Sequence, residues 1–192
     1  EYTLVAVADY VLKHTPGNTV SNLSSSRALK DVTEAYGQQY HAAAVGEVNV
    51  VAEMKRTHSV IGGEGNGGVI YPESHYGRDA LVGVGLFLSH YVAQSKKMTE
   101  LKSTYPPYFI SKNKMTLSPD MDVDKILEGL KERYATEKVT DIDGVKIDFA
   151  QGWVHLRKSN TEPIIRIYSE AKDEAAANQL AEEVIAAAKS TL

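Results

Sequence analysis

"VIGGEGNGGVIYP", Val60 to Pro72, is the stretch on which the reading of this chain turns. Five of its seven central residues are glycine, and the other two are Glu64 and Asn66. Glycine this dense lets a backbone come close to another group. Gly63-Glu64-Gly65-Asn66-Gly67-Gly68 satisfies G-x-G-x-x-G and follows a strand-like "SVIGG". A dinucleotide loop would open a helix here, whose N-terminus holds the pyrophosphate. The continuation is instead "VIYP", β-like and closed by Pro72. No acidic residue lies at the expected spacing of about 20 residues further on. No Lys-Ser/Thr pair follows either, so the P-loop fails. Two readings stay open: a glycine-rich turn with Glu64 solvated, or a binding loop. A carboxylate in a glycine cradle repels phosphate. It accepts well from two neighbouring hydroxyls or from an ammonium group, and Asn66 adds a donor and an acceptor. That pair suits the edge of a sugar ring.

Outward from this loop, strands alternate with helices. Leu4, Val7, Ala8, Val11 and Leu12 recur at helical spacing, and "TPGN" ends that helix. "TVSNL" and "HAAAV" read as strands. "SRALKDVTEAYG" reads as a helix capped by Ser26 and stopped at Gly37, and "EVNVVAEMKRTH" as another. "GRDALVGVGLFLSHYVAQ" is apolar nearly all round, which predicts a largely buried helix. Its apolar core, Ala80 to Leu88, falls short of the roughly 20 residues that cross a bilayer. The expected organisation is an α/β layered domain with a mixed sheet over residues 1–95, a connector over 96–118 turning at Pro106-Pro107, and a small α+β domain over 119–192. In the last, Val123, Ile126, Leu127, Leu130 and Tyr134 form a helical stripe. "KVTDIDGVKIDF" is a hairpin with Asp143-Gly144 in its turn, "GWVHLR" and "IIRIYSE" are strands, and an Ala-rich helix closes the chain.

The chain of 192 residues carries a formal charge of -4, which argues against general nucleic-acid binding. It has no cysteine, so disulfide and thiolate chemistry are excluded. A cytoplasmic protein with no membrane segment is expected. Glu1 leads straight into a helical pattern without an initiator methionine, so a piece of a longer protein is expected too.

A second constellation lies in "WVHLRKSNTEPIIRIYSE", Trp153 to Glu170. Strand alternation puts Val154, Leu156, Ile165 and Ile167 on the core face, and Trp153, His155, Arg157, Arg166 and Tyr168 on the other. Two guanidiniums thus flank a loop of Ser159, Asn160 and Thr161, which supplies hydroxyls, an amide and backbone N–H groups. That is the inventory a phosphate takes. The plain alternative is a hairpin turn whose arginines pair with Glu162 or Glu170. Carboxylate and amide on one domain, cations on the other: together they suit a sugar phosphate.

"GGEGNGG" followed by "RKSNTEPIIRIY" resembles the α-D-phosphohexomutase superfamily, over the whole chain. The resemblance implies the third and fourth domains of a four-domain enzyme, the fourth with a TATA-box-binding-protein-like fold. It implies interconversion of hexose 6-phosphate and hexose 1-phosphate through a phosphoserine and a bisphosphate intermediate. The implied partners are the hexose phosphate and the N-terminal half of the same enzyme, with Mg2+ held by an Asp-rich loop outside this chain. By resemblance Glu64, Gly65 and Asn66 meet sugar hydroxyls, and Arg157, Ser159, Asn160 and Thr161 grip the phosphate that is not transferred. Arg166 joins them on strand geometry. No catalytic or metal-binding residue is expected here. "SSSRAL", Ser24 to Leu29, reads as a helix cap rather than a phosphoserine loop, and Asp141-x-Asp143-Gly144 as a hairpin turn. The chain alone is therefore expected to be inactive. Asn66 and Gly68 stand where the commoner Gly-Glu-x-Ser-Gly-His form has serine and histidine. Glu47 stands where many phosphomannomutases carry histidine. This favours a glucosamine-type substrate, with Glu47 meeting the 2-ammonium or simply capping its helix. A phosphomannomutase/phosphoglucomutase and a non-catalytic sugar-phosphate-binding module are the alternatives.

Overall fold

The computed structural model describes residues 1–118, 121–159 and 161–190. It divides into two units, Glu1–Pro107 and Tyr108–Leu192.

In the first unit the chain runs α1 (Tyr2–His14), β1 (Thr19–Asn22), α2 (Ala28–Ala35), β2 (Tyr40–Ala43), α3 (Glu47–Thr57), β3 (Ile61–Glu64), β4 (Gly68–Ile70), α4 (Ala80–Gln94) and α5 (Met98–Ser103). The sheet order is β2-β1-β3-β4. β1 runs parallel to β2 and β3, and β4 returns antiparallel to β3. The expected mixed sheet is therefore present. Helices cover both faces of β3. A Cβ added at Gly62 would lie 2.6 Å from the Met54 sulfur of α3, and one added at Gly63 would lie 3.1 Å from Leu4 of α1. Val20, Ala43, Val50, Met54 and Ile70 form the core on the α3 side. Ser26 is expected to cap α2, but the N-cap position is Arg27, and the Ser26 Oγ accepts from the Ala28 N–H at 3.1 Å from one residue further out. Gly37 turns the chain out of α2 with φ +70.

Helix α4 departs from expectation. No charged residue interrupts Ala80–Gln94, which predicts burial, yet only Gly83 and His90 are fully buried. Its inner side packs on α1 and β4. Leu81, Val84, Leu88 and Val92 form a line along the outer side and are exposed, Leu81 by 84%. Asp79 caps this helix by accepting from the Val82 N–H at 3.0 Å.

A polar knot joins the helical layer. Asp9 of α1 accepts from the Tyr36 hydroxyl at 2.7 Å and from the Tyr105 hydroxyl at 2.9 Å. His90 of α4, 1% exposed, lies 2.7 Å from the Tyr105 oxygen and 3.4 Å from Asp9.

The segment 96–118 holds the short helix expected there, α5 (Met98–Ser103), but its remainder is not only a connector. Phe109–Thr116 form β5, an edge strand of the second unit, which pairs antiparallel with Ile164–Ala171 throughout. Alternation was hidden by "SKNK", because the outward positions there are lysines and the inward ones only Ser111 and Asn113. After β5 come α6 (Val123–Arg133), β6 (Lys138–Thr140), β7 (Val145–Phe149), β8 (Gly152–Lys158), β9 (Ile164–Ala171) and α7 (Glu174–Lys189). The sheet order is β5-β9-β8-β7-β6, all antiparallel. One face packs Val154, Leu156, Ile165, Ile167 and Ile147 against Ile126 and Leu130 of α6 and Leu180 and Val184 of α7. Asp122 and Asp173 cap these two helices through their side chains. Among the described residues no helix is long and apolar enough to cross a membrane.

On the other face, Trp153 and His155 are buried as well. Trp153 donates to Glu170 at 2.8 Å and lies under the Lys146 ammonium, 4.3 Å from the ring centroid. His155 Nε2 donates to the Asp143 carbonyl at 2.7 Å, which ties it to the hairpin turn. Burial pushes the His155 imidazole down to about 4. Folded protein thus binds this proton less tightly than unfolded protein, whose histidine titrates near 6.5. The contribution is fully present above pH 6.5 and is lost as pH falls towards 4. Wild type is expected to lose on the order of 3 kcal/mol over that window. His155→Gln should flatten the slope, as read by urea titrations at pH 4.5 and 7.

Candidate functional site

β1 and β3 are neighbours in the sheet, but the chain leaves β1 towards β2 and comes back across it to β3. Their C-terminal ends therefore flank a topological switch point, where open α/β sheets bind ligands. Glu64 is the last residue of β3 and Asn22 the last of β1. Glu64 is only 6% exposed. It is not the solvated residue of the plain reading. Its Oε1 accepts from Asn22 Nδ2 at 2.9 Å and its Oε2 from the Arg78 guanidinium at 3.2 Å. Asn22 is itself fixed, its Oδ1 accepting from the Ser24 N–H and the Ser25 hydroxyl, both at 3.0 Å. Ser25 Oγ accepts from the Gly65 N–H at 2.9 Å. The "SSS" segment after β1 thus holds the glycine loop in place.

Beyond Glu64 the loop turns tightly, with the Gly67 N–H donating to the Glu64 carbonyl at 3.0 Å and Gly67 at φ +95. Asn66 stands exposed at its tip, and its Oδ1 accepts from the Gly68 N–H at 3.0 Å. Gly68 has a specific neighbour: a Cβ there would lie 2.6 Å from Arg78 Cδ. The absent side chain makes room for the arginine stem.

Arg78 links the loop to α3. Its Nε donates to Glu47 Oε2 at 2.8 Å and its backbone N–H to Glu47 Oε1 at 2.9 Å. These two bonds, the backbone one first, hold the Glu47 carboxyl below its ordinary range. Glu47, Asn66, Gly67, Gly68, Arg78, Asp79 and Ala80 line an open depression of about 510 Å³. Two carboxylates, Glu47 and Asp79, and one guanidinium line it, and Arg78 ties the wall to the buried Glu64. Such a wall disfavours phosphate and suits hydroxyls or an ammonium. Each carboxylate oxygen keeps a second lone pair for a ligand donor. Arg78 and Asn22 escaped the sequence reading. The available signal was a lone arginine between the glycine loop and an uncharged helix, but no local pattern says that it turns back onto Glu64.

In the second unit, Arg157 is half-buried, the next-to-last residue of the mostly buried β8, and Arg166 lies directly across from it on β9. Arg166 pairs with Glu162 at 2.9 Å, as the plain reading allowed. Arg157 Nε is buried with no hydrogen-bond partner among the described residues. Ser159 N–H donates to the Ile164 carbonyl at 2.9 Å, closing the loop, and Ser159 Oγ accepts from the Thr161 N–H at 3.4 Å. Asn160 lies outside the described residues. Arg157, Ser159, Thr161 and Arg166 are thus gathered at one end of the second sheet. In the first unit Glu47 and Asn66 line one depression, while Glu64 and Gly65 lie behind it, joined to it through Arg78 and the glycine loop.

Among the described residues no three His, Asp or Glu side chains could together hold a metal ion. Asp141 pairs with Lys131 at 3.0 Å, beside a turn made by Gly144 at φ +68. This donor set does not fit Mg2+.

The first unit thus carries a carboxylate-bearing glycine loop and the second an arginine-flanked loop after β8. The chain belongs to the phosphoglucomutase/phosphomannomutase family: residues 1–108 match its alpha/beta/alpha domain III and residues 112–187 its C-terminal domain. It is similar to a phosphoglucosamine/phosphogalactosamine mutase of Sulfurisphaera tokodaii, 36% identical over 86% of this chain and 37% of the relative. It is similar also to a phosphoglucomutase/phosphomannomutase of Thermococcus kodakarensis, 37% identical over 94% of this chain and 40% of the relative. Among solved structures, a phosphoglucomutase/phosphomannomutase family protein of Burkholderia thailandensis shares the fold with a TM-score of 0.80, at 23% identity, over 98% of this chain and 41% of that one. The chain spans about two fifths of the length of these relatives.

Proposed function

We propose that this chain is the substrate-recognition part of a phosphohexomutase that interconverts hexose 6-phosphate and hexose 1-phosphate, with glucosamine phosphate as the preferred substrate. The observation that carries this reading is the division of charge. Glu64, clamped at the switch point, offers free lone pairs to sugar hydroxyls together with Asn66 and the Gly65 backbone. Arg157, with Ser159, Asn160, Thr161 and Arg166, offers donors to phosphate. Glu47 lies at the same depression as Asn66, and the excess of carboxylate there favours a 2-ammonium over a 2-hydroxyl.

The reaction in this reading proceeds through a phosphoserine and a hexose bisphosphate, with Mg2+ at the phosphoserine. In this reading both groups lie outside this chain, in keeping with Ser25 being buried between Asn22 and Gly65 and the Ser26 hydroxyl accepting from the Ala28 N–H. The chain alone is predicted not to turn over hexose 1-phosphate, and measurable product from it would contradict this account.

Ligand-observed NMR suits the weak binding expected when each unit holds one end of a ligand. Saturation transfer to glucosamine 6-phosphate should be seen with wild type and fall at least severalfold with Glu64→Gln or with Arg157→Gln. Glucose 6-phosphate and mannose 6-phosphate should compete less well than glucosamine 6-phosphate. Equal transfer in wild type and both variants would sink the assignment of the two sites.

A further inference from the structure

The register of the second sheet assembles something that no single segment of sequence displays. Lys114 of β5 lies directly across from Arg166 of β9, which lies directly across from Arg157 of β8. Residues paired in this way project from the same face. Three cations therefore stand in one row across three neighbouring strands, successive strands being about 4.8 Å apart. The row sits at the end of the sheet where β8 runs into the Ser159–Thr161 loop. Like charges directly opposite one another destabilise a sheet. Little among the described residues relieves this row. Glu162 pairs with Arg166, no ion pair joins Lys114, and Arg157 Nε is buried with no hydrogen-bond partner. The next row is different: Lys112 stands over the Tyr168 ring, 5.4 Å from its centroid, with neutral His155 beyond.

We propose that Lys114 is a third cation of the anion site, and that the Lys114–Arg166–Arg157 row is built to take the dianionic phosphoryl group of a phosphate monoester. This rests on the phosphate reading of Arg157 and its loop, and adds to it a residue more than 40 positions away that only the β5–β9 pairing brings near. An anion with three terminal oxygens matches the chemistry of the row: two guanidinium forks, one mobile ammonium and the hydroxyls of Ser159 and Thr161. The ammonium arrives from the far strand, so it meets a different oxygen from those facing Arg157. The repulsion within the row is the counterpart of its function, since the bound dianion removes it.

The test is thermal and urea denaturation of the chain in inorganic phosphate against chloride of matched ionic strength, with 31P NMR titration of inorganic phosphate. Wild type should be stabilised by phosphate over chloride. Lys114→Gln, on an exposed edge strand, should be as stable as wild type or more so in chloride, and should weaken phosphate binding by about two- to fivefold. Lys114→Arg should restore it. Lys112→Gln, one row away, should behave as wild type. Arg157→Gln separates the two layers of the argument. If it abolishes the phosphate response while Lys114→Gln leaves it intact, the site stands and the role of Lys114 is overturned. If wild type shows no phosphate response, or Arg157→Gln retains it, both readings fall.

Discussion

Replacing Asp9 by alanine should cost about 3 kcal/mol, the largest single effect expected in the first unit. The carboxylate is the shared acceptor of the Tyr36 and Tyr105 hydroxyls, and it also faces the buried His90 imidazole. These groups come from three different parts of the chain, so one truncation leaves two phenols short of an acceptor in partly buried surroundings. The knot also gives alkaline lability a defined sign. Burial first, then Asp9, pushes the Tyr36 phenol up to about 12 and raises Tyr105 still further. Both phenols hold their protons more tightly in the folded state. Their contribution is therefore complete below the ordinary tyrosine range near 10; that of Tyr36 is lost as pH rises through 12, and that of Tyr105 goes on falling above it. Asp9→Ala should lower the urea midpoint sharply at pH 7 and blunt the further fall between pH 10 and 12. A midpoint within experimental error of wild type would show that the knot is solvated in solution.

The second large effect is expected at Glu64. Glu64→Ala removes the acceptor of Asn22 Nδ2 and one of two carboxylates held by Arg78, at about 2 kcal/mol and with loss of sugar recognition. Glu64→Gln is the more informative change. It keeps the shape, yet its amide cannot accept on both sides, so either Asn22 or Arg78 meets a donor instead of an acceptor. Arg78→Ala should leave the fold largely intact, since Arg78 is substantially exposed, and should bring the Glu47 carboxyl part of the way back to its ordinary range, because the backbone N–H of residue 78 still donates to it. Carbon-detected NMR titration of the glutamate carboxyls reads this directly. An unchanged Glu47 titration in Arg78→Ala would mean that the clamp does not form.

Much of the fold was legible because its elements announce themselves locally. Pro72 after a β-like run turned a nucleotide-loop pattern into a strand–turn–strand, and β3 and β4 lie there. Asp143-Gly144 marked the β6–β7 hairpin. Burial of α4 was misjudged because an uncharged helix shows that its surface is apolar, not which side of it packs. Strand β5 was missed because its lysines fall on the outward positions and mask the period of two. The site was legible to the same degree. Glu64 and Arg157 could be singled out from their own neighbours in sequence. Arg78, Asn22 and Lys114 could not, because each reaches its partners only through strand pairing or a crossover. The glycines, too, were read as clearing space for a ligand. At Gly62 and Gly68 the space is taken by Met54 and Arg78 of the protein itself.

In the proposed function, sugar recognition belongs to the first unit and phosphate recognition to the second. Amide chemical-shift mapping of the 15N-labelled chain with glucosamine 6-phosphate tests it most directly. Resonances of Gly63 to Gly68 and Arg78 are expected to move with the sugar phosphate but not with inorganic phosphate. Those of Lys114, Arg157 to Thr161 and Arg166 should move with both. Shifts confined to one unit, or an identical pattern for glucosamine 6-phosphate and inorganic phosphate, would contradict it.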